Sequence, residues 1–147
     1  MKKKFIISLL SLIILSPALM ASNDKPITFA QLPQQSQQFI KKHFADIPIA
    51  LVKKDGVVFD VSYDVIFTNG SKIEFDRKGN WTDVECKHTQ IPAEIIPEQI
   101  RNYVSKNYPD IKINKIEKKS RGSYEVELAS DIDLTFDSKY NLIDIDY

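Results

Sequence analysis

A stretch of this chain recurs in its second half, and the recurrence constrains the fold more than any other feature. Residues 63–85 align with residues 124–146, and seven of the 23 aligned pairs are identical. Both stretches alternate apolar and polar residues between turn-forming residues, which is typical of short strands joined by hairpins. An upstream segment, residues 32–54, recurs as residues 96–118, again with seven identities in 23. The sequence therefore predicts a duplicated architecture.

The upstream segments have the periodicity of an amphipathic α-helix. Residues at steps of three and four form one face of the first helix. That face consists of Leu32, Ser36, Phe39, Ile40, His43 and Phe44. Pro33 suits the first turn, where its missing N–H has no intrahelical partner to lose, and the segment Asp46 to Pro48 ends the helix. The same reasoning predicts a second helix that begins near Pro97.

Four strands are predicted after the first helix. Asp55-Gly56 and Asn69-Gly70 are strong hairpin signals, and Gly79 suits the left-handed position of a third hairpin loop. The alternation between the first two turns predicts that Val57 and Phe59 face inward. The predicted strands are Ile49–Lys53, Val57–Thr68, Ser71–Asp76 and Trp81–Glu85.

The second half repeats these strands with different turn residues. Tyr140 stands where the first half has Gly79, and a tyrosine is disfavoured at positive φ. We therefore expect Asn141 to take the left-handed position in a loop one residue longer. The predicted strands are Ile111–Ile116, Ser123–Ala129, Ile132–Phe136 and Leu142–Tyr147.

Together these elements predict an α+β fold built from two tandem units, residues 22–86 and 87–147. Each unit would be a helix followed by a four-stranded antiparallel meander. Each sheet would bury one face under its own helix and leave the other face to water or to a partner.

The N-terminal segment, residues 1–21, has the parts of a secretory signal peptide. Lys2 to Lys4 form a basic start, and the apolar run Phe5 to Leu15 is too short to span a bilayer. We expect cleavage after Ala21, a disordered lead over Ser22–Pro26, and a periplasmic or secreted location without a membrane span. The alternative is an N-terminal anchor helix. Cys86 is the single cysteine, so no internal disulfide can form.

The charge balance argues against a nucleic-acid-binding protein. The chain has 20 basic and 20 acidic residues, and removing the three leader lysines leaves 17 against 20. A nucleic-acid binder would carry a basic stripe instead.

The residues that usually carry catalysis or metal binding are sparse. His43 lies on the apolar helix face, where a packed role is expected. His88 and Cys86 are close in sequence, but they lack the further ligands that a zinc site needs. No phosphate loop, nucleophile elbow or calcium loop is present. We therefore predict no enzyme, no catalytic residue, no metal and no cofactor.

Charged residues recur on the outward strand parity in both halves. They are Asp60, Asp64, Lys72, Glu74, Asp76, Glu125, Glu127 and Asp133, with Asp137 in the same pattern. One interpretation is a solvated face whose charges discourage sheet pairing. The other is an acidic platform for a basic or polar protein or peptide partner. Paired carboxylates could also do acid–base chemistry, although no pocket follows from the sequence.

Several of these motifs resemble the PepSY-like family, which is related in fold to the β-lactamase inhibitor protein. They are the twofold Leu/Ile-Pro, the helix pattern Phe/Tyr-Ile/Val-x-Lys-x-Phe/Tyr, the pattern Tyr-Asp/Glu-Val and the segment Phe75 to Cys86. The resemblance spans most of the chain that follows Ala21. It implies a small exported protein with a PepSY-like, β-lactamase-inhibitor-like fold.

The resemblance also implies a way of working. Inhibitor relatives bind an enzyme through an exposed sheet face, so we expect a non-enzymatic binding protein that engages or inhibits an envelope or secreted protein. The alternative is a small envelope enzyme or ligand carrier that uses the carboxylates of the sheet face.

Overall fold

The computed structural model describes residues 24–147, so the predicted signal peptide lies outside the described residues. Two helices, α1 (Gln34–His43) and α2 (Glu98–Asn107), each follow a short 3₁₀ turn. The strands are β1 (Lys25–Pro26), β2 (Ile49–Val57), β3 (Asp60–Phe67), β4 (Lys72–Asp76), β5 (Trp81–Glu85), β6 (Ile113–Lys118), β7 (Tyr124–Leu128), β8 (Asp133–Phe136) and β9 (Leu142–Asp146). The predicted α+β class is confirmed.

Within residues 24–147, the nine strands form one antiparallel sheet whose spatial order follows the chain. The prediction of a separate sheet under each helix is therefore wrong. β5 pairs with β6 and places Val84 opposite Ile116, and just beyond this pairing the Cys86 N–H donates to the Asn114 carbonyl oxygen at 2.7 Å. The edge strand of the first half thereby pairs with the edge strand of the second half. This pairing satisfies backbone N–H and C=O groups that would otherwise face water.

The first strand replaces a segment that we expected to be disordered. Lys25 and Pro26 pair with Lys54 and Lys53 of β2, and the Ile27 N–H donates to the Val52 carbonyl oxygen at 2.9 Å. Proline is tolerated here because β1 is an edge strand.

Both helices pack on the same face of the sheet through aromatic contacts. The Phe39 ring meets Phe75 edge-on at 5.8 Å, and the Tyr103 ring meets Phe136 at 5.5 Å. The strand residues beneath them, such as Val65 and Ile116, are fully buried. Among residues 24–147, neither helix is long and apolar enough to cross a membrane.

Strand register recurs at the offsets seen in the sequence. Tyr63 lies opposite Phe75 in the first half, and Tyr124 lies opposite Phe136 in the second. Register shifts also recur, between Ile49 and Leu51 and again between Ile113 and Lys115.

The first hairpin is longer than predicted. Pairing continues through Asp55 and Gly56 to Val57 opposite Asp60, so the connection is made by Val58 and Phe59. Val57, Val58 and Phe59 are 64%, 73% and 87% exposed. The prediction that Val57 and Phe59 face inward is therefore wrong, because a strand that extends past the helix has nothing to pack against.

The loop after β8 also differs from the prediction, because Tyr140 itself has a positive φ of 64°. The Asp137 carboxylate accepts hydrogen bonds from the backbone N–H groups of Lys139 and Asn141 at 2.8 and 2.9 Å. The Tyr140 ring also lies 5.6 Å from the Tyr124 ring. These contacts offset the backbone strain, so the loop keeps the length of its counterpart at Gly79.

Candidate functional site

The sheet face turned away from the helices carries rows of charged side chains. Val65, Ile73, Val84, Ile116 and Val126 point into the core, so their strand neighbours point to the other side. We call this surface the acidic face. Its carboxylates are Asp64, Glu74, Asp83, Glu85, Glu117, Glu125, Glu127, Asp133, Asp144 and Asp146, and its lysines are Lys53, Lys72, Lys115 and Lys119.

One row crosses five consecutive strands and is entirely acidic. Asp64 lies opposite Glu74, Glu74 opposite Asp83, Asp83 opposite Glu117, and Glu117 opposite Glu125. Like charges directly opposite one another repel and destabilise a sheet. The row is therefore an arrangement that folding alone does not favour.

A second row alternates in sign before it becomes acidic. Lys72 lies opposite Glu85, Glu85 opposite Lys115, and Lys115 opposite Glu127. Glu127 then lies opposite Asp133. The lysines of this row, Lys72 and Lys115, lie beside the acidic row and form ion pairs with it.

Lysines neutralise part of the acidic row. Lys72 Nζ lies 3.2 Å from Asp64, and Lys115 Nζ lies 3.1 Å from Asp83 and 3.5 Å from Glu117. Further along the row, Lys119 and Glu117 are joined at 3.0 Å, and the Lys119 ammonium reaches Glu125 at 3.3 Å. Lys53 pairs with Asp24 at 3.0 Å.

Burial and neighbouring charges raise the pKa values of three carboxylates on this face. Burial raises the pKa of Glu74, and the charge of Asp64 raises it further against the opposing effect of Lys72. Burial likewise raises the pKa of Asp83, despite the ammonium of Lys115 beside it. For Glu127, burial and then Asp133 raise the pKa. A cation placed beside these carboxylates would favour their ionised form.

A shallow depression of about 590 Å³ lies on this face and opens to solvent. Glu74, Asp83 and Glu117 line it together with Lys72 and Lys115. The depression can receive a long cationic side chain, such as that of lysine or arginine.

Six of the predicted site residues lie in the two charged rows; they are Asp64, Lys72, Glu74, Glu125, Glu127 and Asp133. Asp60, at the hairpin end of β3, and Asp76, at the end of β4, line the depression together with Lys72 and Glu74. The Asp76 carboxylate belongs to a loop, where it accepts hydrogen bonds from the backbone N–H groups of Lys78 and Asn80. Partial burial acts against it, but these and related hydrogen bonds lower the pKa of Asp76.

Sequence reasoning missed the centre of the acidic face. Asp83, Glu85, Lys115 and Glu117 lie on the two strands that join the halves of the sheet. The alternation in the run Trp-Thr-Asp-Val-Glu could have identified two of them. Because Val84 points inward, its neighbours Asp83 and Glu85 must point outward. Their position next to Glu74 depends on the pairing of β5 with β6, which parity does not reveal.

His43 and Cys86, two of the residue types that commonly bind metals, are packed against their neighbours. His43 lies 3.7 Å from Glu94 with its ring 4.8 Å from that of Phe39, and burial lowers the pKa of His43. Cys86 is buried, and burial raises the pKa of its thiol. Within residues 24–147, no three histidine, cysteine or carboxylate side chains are grouped to hold a metal ion.

Comparison with known proteins identifies relatives of the whole fold. The profile of the family described as "Putative beta-lactamase-inhibitor-like, PepSY-like" matches residues 61–144. No curated protein matches the chain.

Three crystal structures from Bacteroides are similar. One, from Bacteroides thetaiotaomicron, is described as a "putative calcium-regulated periplasmic protein"; it is 55% identical with a TM-score of 0.81, over 84% of this chain and 97% of that one. A "putative periplasmic protein from DUF2874 family" of Bacteroides vulgatus is 50% identical with a TM-score of 0.82, over 86% and 99%. Another Bacteroides vulgatus periplasmic protein, of unknown function, is 31% identical with a TM-score of 0.78, over 84% and 99%. The predicted periplasmic or secreted location is thereby confirmed.

Proposed function

Because the chain belongs to the PepSY-like family, we propose that it is a non-enzymatic binding protein of the periplasm or the secreted fraction. Its partner would be a protein or peptide segment rich in lysine or arginine, held on the acidic face. One observation carries the proposal: five carboxylates on neighbouring strands form an unbroken row that repulsion disfavours. A cationic partner would relieve that repulsion.

Inhibition of an envelope or secreted enzyme is one form that such binding could take. The sheet face is long and open, as a protein partner requires, and its lysines can make contacts of the opposite sign at defined positions. Electrostatic complementarity of this kind mainly raises the association rate and selects the partner.

The alternative is a small envelope enzyme or ligand carrier. Burial raises the pKa values of Glu74 and Asp83, and paired carboxylates of this kind can serve as proton donor and acceptor. The depression that they line is open to water rather than enclosed, which disfavours catalysis by groups that depend on exclusion of solvent.

One relative is described as calcium-regulated, so we consider calcium as a ligand that competes with the basic partner. Calcium prefers six to eight oxygen ligands, and no grouped ligand set occurs within residues 24–147. We therefore propose that calcium acts on this chain by weak screening of the acidic face, in competition with the basic partner.

We also propose that residues 22–86 and 87–147 are tandem copies of a helix and a four-stranded meander, behind a signal peptide cleaved after Ala21. Superposition of residues 32–54 and 63–85 on residues 96–118 and 124–146 in an experimental structure tests the copies. Mass spectrometry of the exported chain tests the cleavage site, with Ser22 expected as the first residue.

The binding proposal is tested with residues 22–147 as bait for the exported proteins of the source cell, followed by kinetics with the captured partner. Combined Glu74→Gln and Glu127→Gln should slow association, and the difference should shrink as salt rises because screening weakens steering. Calcium should slow association in the same way.

The matched control is Glu94→Gln with Glu98→Gln, which makes the same change in net charge on the helix side. This control should leave the association rate unchanged. Capture that is insensitive to salt and to the first pair of substitutions would contradict the proposal, and turnover of a substrate by the isolated chain would favour the enzyme alternative.

A further inference from the structure

Two clefts lie beside the two helices, on the face of the sheet opposite the acidic face. The first cleft lies between α1 and β2, and the second lies between α2 and β6. Every residue that lines the first cleft has its counterpart in the second at an offset of 64 residues, which extends the alignment of residues 32–54 with 96–118 back into the preceding 3₁₀ turns. Phe44 and Ile49, for example, correspond to Tyr108 and Ile113.

One substitution changes the space in these clefts. Phe29 lies in the first cleft and packs against the core, with Lys41 Nζ 5.8 Å from its ring centre. The corresponding residue of the second cleft is Ala93. The first cleft measures about 320 Å³ and the second about 450 Å³. The second cleft is therefore larger in the half where the aromatic ring is missing.

The cation of the cleft changes place between the two halves. Lys41 lines the first cleft, and its counterpart in the second cleft is Ser105. Gln37 donates hydrogen bonds from its side chain to the carbonyl oxygens of Ala30 and Leu32 at 3.3 and 2.9 Å, which fastens α1 to the preceding turn. Its counterpart is Arg101, which lines the second cleft. Within residues 24–147, no carboxylate lies within ion-pair distance of the Arg101 guanidinium.

The floor of the second cleft is apolar. Ile96, Val104 and Ile113 are buried, and Tyr108 forms part of the wall. Arg101 and Asp110 both line the cleft, so one cation and one carboxylate border the apolar floor. The planar guanidinium of Arg101 matches a carboxylate.

We propose that the second cleft binds the carboxyl-terminal aromatic residue of a peptide. The ligand's ring occupies the space that Phe29 fills in the first cleft, and the terminal carboxylate pairs with Arg101. Phe29 in the first half shows where an aromatic ring fits in such a cleft. Arg101, which stands where the first half has Gln37, supplies the selectivity for a free carboxyl end. This site is separate from the acidic face and does not depend on the function proposed for it.

N-acetyl-L-phenylalanine is the probe, and binding to residues 22–147 is followed by NMR chemical shifts. We expect shifts at Ala93, Arg101 and Tyr108, weaker binding of the corresponding amide, and no binding of N-acetyl-L-alanine. Equal affinity for the acid and the amide would overturn the contact with Arg101, and absence of binding by the acid would overturn the site.

Ala93→Phe supplies the missing ring from the chain itself. It should weaken binding of the probe by about tenfold or more, because the ring space is then occupied, and should raise the melting temperature. Ala30→Phe adds the same ring to the exposed turn of the first half and should leave binding unchanged. Undiminished binding by Ala93→Phe would overturn the proposal.

The reciprocal experiment creates a site in the first half. Phe29→Ala with Gln37→Arg, made in the Ala93→Phe background and checked for folding by circular dichroism, should restore binding of the probe. The new shifts should map to Phe44 and Ile49. If sedimentation instead shows that Ala93→Phe converts a dimer to a monomer, the occupant is a second copy of the chain and the peptide proposal is wrong.

Discussion

Lys115 Nζ lies 3.1 Å from Asp83 Oδ2 across the strand pair β5–β6, where the two halves of the sheet join. The same ammonium lies 3.5 Å from Glu117, so one lysine stands between two facing carboxylates. Burial opposes the charge of Lys115, but Asp83 and then Glu117 raise the pKa of Lys115 above its ordinary value. This lysine therefore stabilises the seam of the sheet.

Lys115→Met should lower the free energy of unfolding by about 1 kcal/mol at neutral pH, because Asp83 then faces Glu117 without the ammonium that lies between them, and Glu117 keeps Lys119 as its partner. The deficit should shrink at acidic pH, where the carboxylates become protonated. Urea denaturation at the two pH values measures it. Lys87→Met removes a more exposed partner of Glu85 and should have a smaller effect. A larger deficit at acidic pH would contradict the assigned role.

Glu74→Gln should raise the free energy of unfolding at neutral pH by about 0.5 kcal/mol, since it removes a like-charge contact with Asp64. The pKa of Glu74 is raised in the folded state, so the native protein binds the proton more tightly than the unfolded chain. The stability that protonated Glu74 contributes is therefore present below the pKa of this group in the unfolded chain. It is lost as pH rises through the pKa of Glu74 in the folded protein. The glutamine variant should lack this loss.

Asp76→Asn should change the pH dependence of stability in the direction opposite to that of Glu74→Gln. Hydrogen bonds from Asn80 and Lys78 outweigh burial and lower the pKa of Asp76. The stability it contributes is present above the unfolded pKa and is lost as pH falls through the folded pKa. The asparagine variant should be less stable than wild type at neutral pH and should approach wild type in acid. Parallel pH profiles for Glu74→Gln and Asp76→Asn would refute both assignments.

Gly79→Ala should destabilise the protein by about 2 kcal/mol in denaturant unfolding. Gly79 has a φ of 89°, and an added Cβ would lie 2.7 Å from the Pro33 side chain and 2.9 Å from Ser36 Oγ. Gly122→Ala shares the positive φ but meets only Ser138 at 3.4 Å. It should cost less, and the difference isolates the contact with α1. Equal losses would show that backbone strain alone is responsible.

Phe59→Ser should change the free energy of unfolding by less than about 0.5 kcal/mol, because the ring is 87% exposed. Phe75→Ala should cost about 3–5 kcal/mol, because Phe75 is fully buried under α1. Thermal or chemical unfolding distinguishes the two. A large loss for Phe59→Ser would restore the expectation that this residue faces inward.

The two hairpin errors show where local patterns cease to determine structure. Alternation through Val57 and Phe59 predicts burial, but burial also needs a core to pack against, and neither residue belongs to the hydrophobic core. A tyrosine is disfavoured at positive φ, yet the hydrogen bonds from Lys139 and Asn141 to Asp137 and the contact with the Tyr124 ring hold Tyr140 there. In each case tertiary contacts outweighed a sound local preference.

The candidate site was predicted in part for a similar reason. Parity placed Asp64, Glu74, Glu125 and Glu127 on the outward face, which needs only the twofold period of a strand. That these carboxylates form one row depends on Asp83 and Glu117 between them, and hence on the pairing of β5 with β6.

By itself, the sequence determined the helices, most strands, the recurrence and the family, because periodicity, turn residues and repeated motifs are local and survive without knowledge of neighbours. Only the tertiary structure decided that the nine strands form one sheet, which carboxylates face one another, and that Ala93 and Arg101 border a cleft. Those relationships join residues far apart in the chain. Their register and packing are set by the contacts that the folded chain makes as a whole.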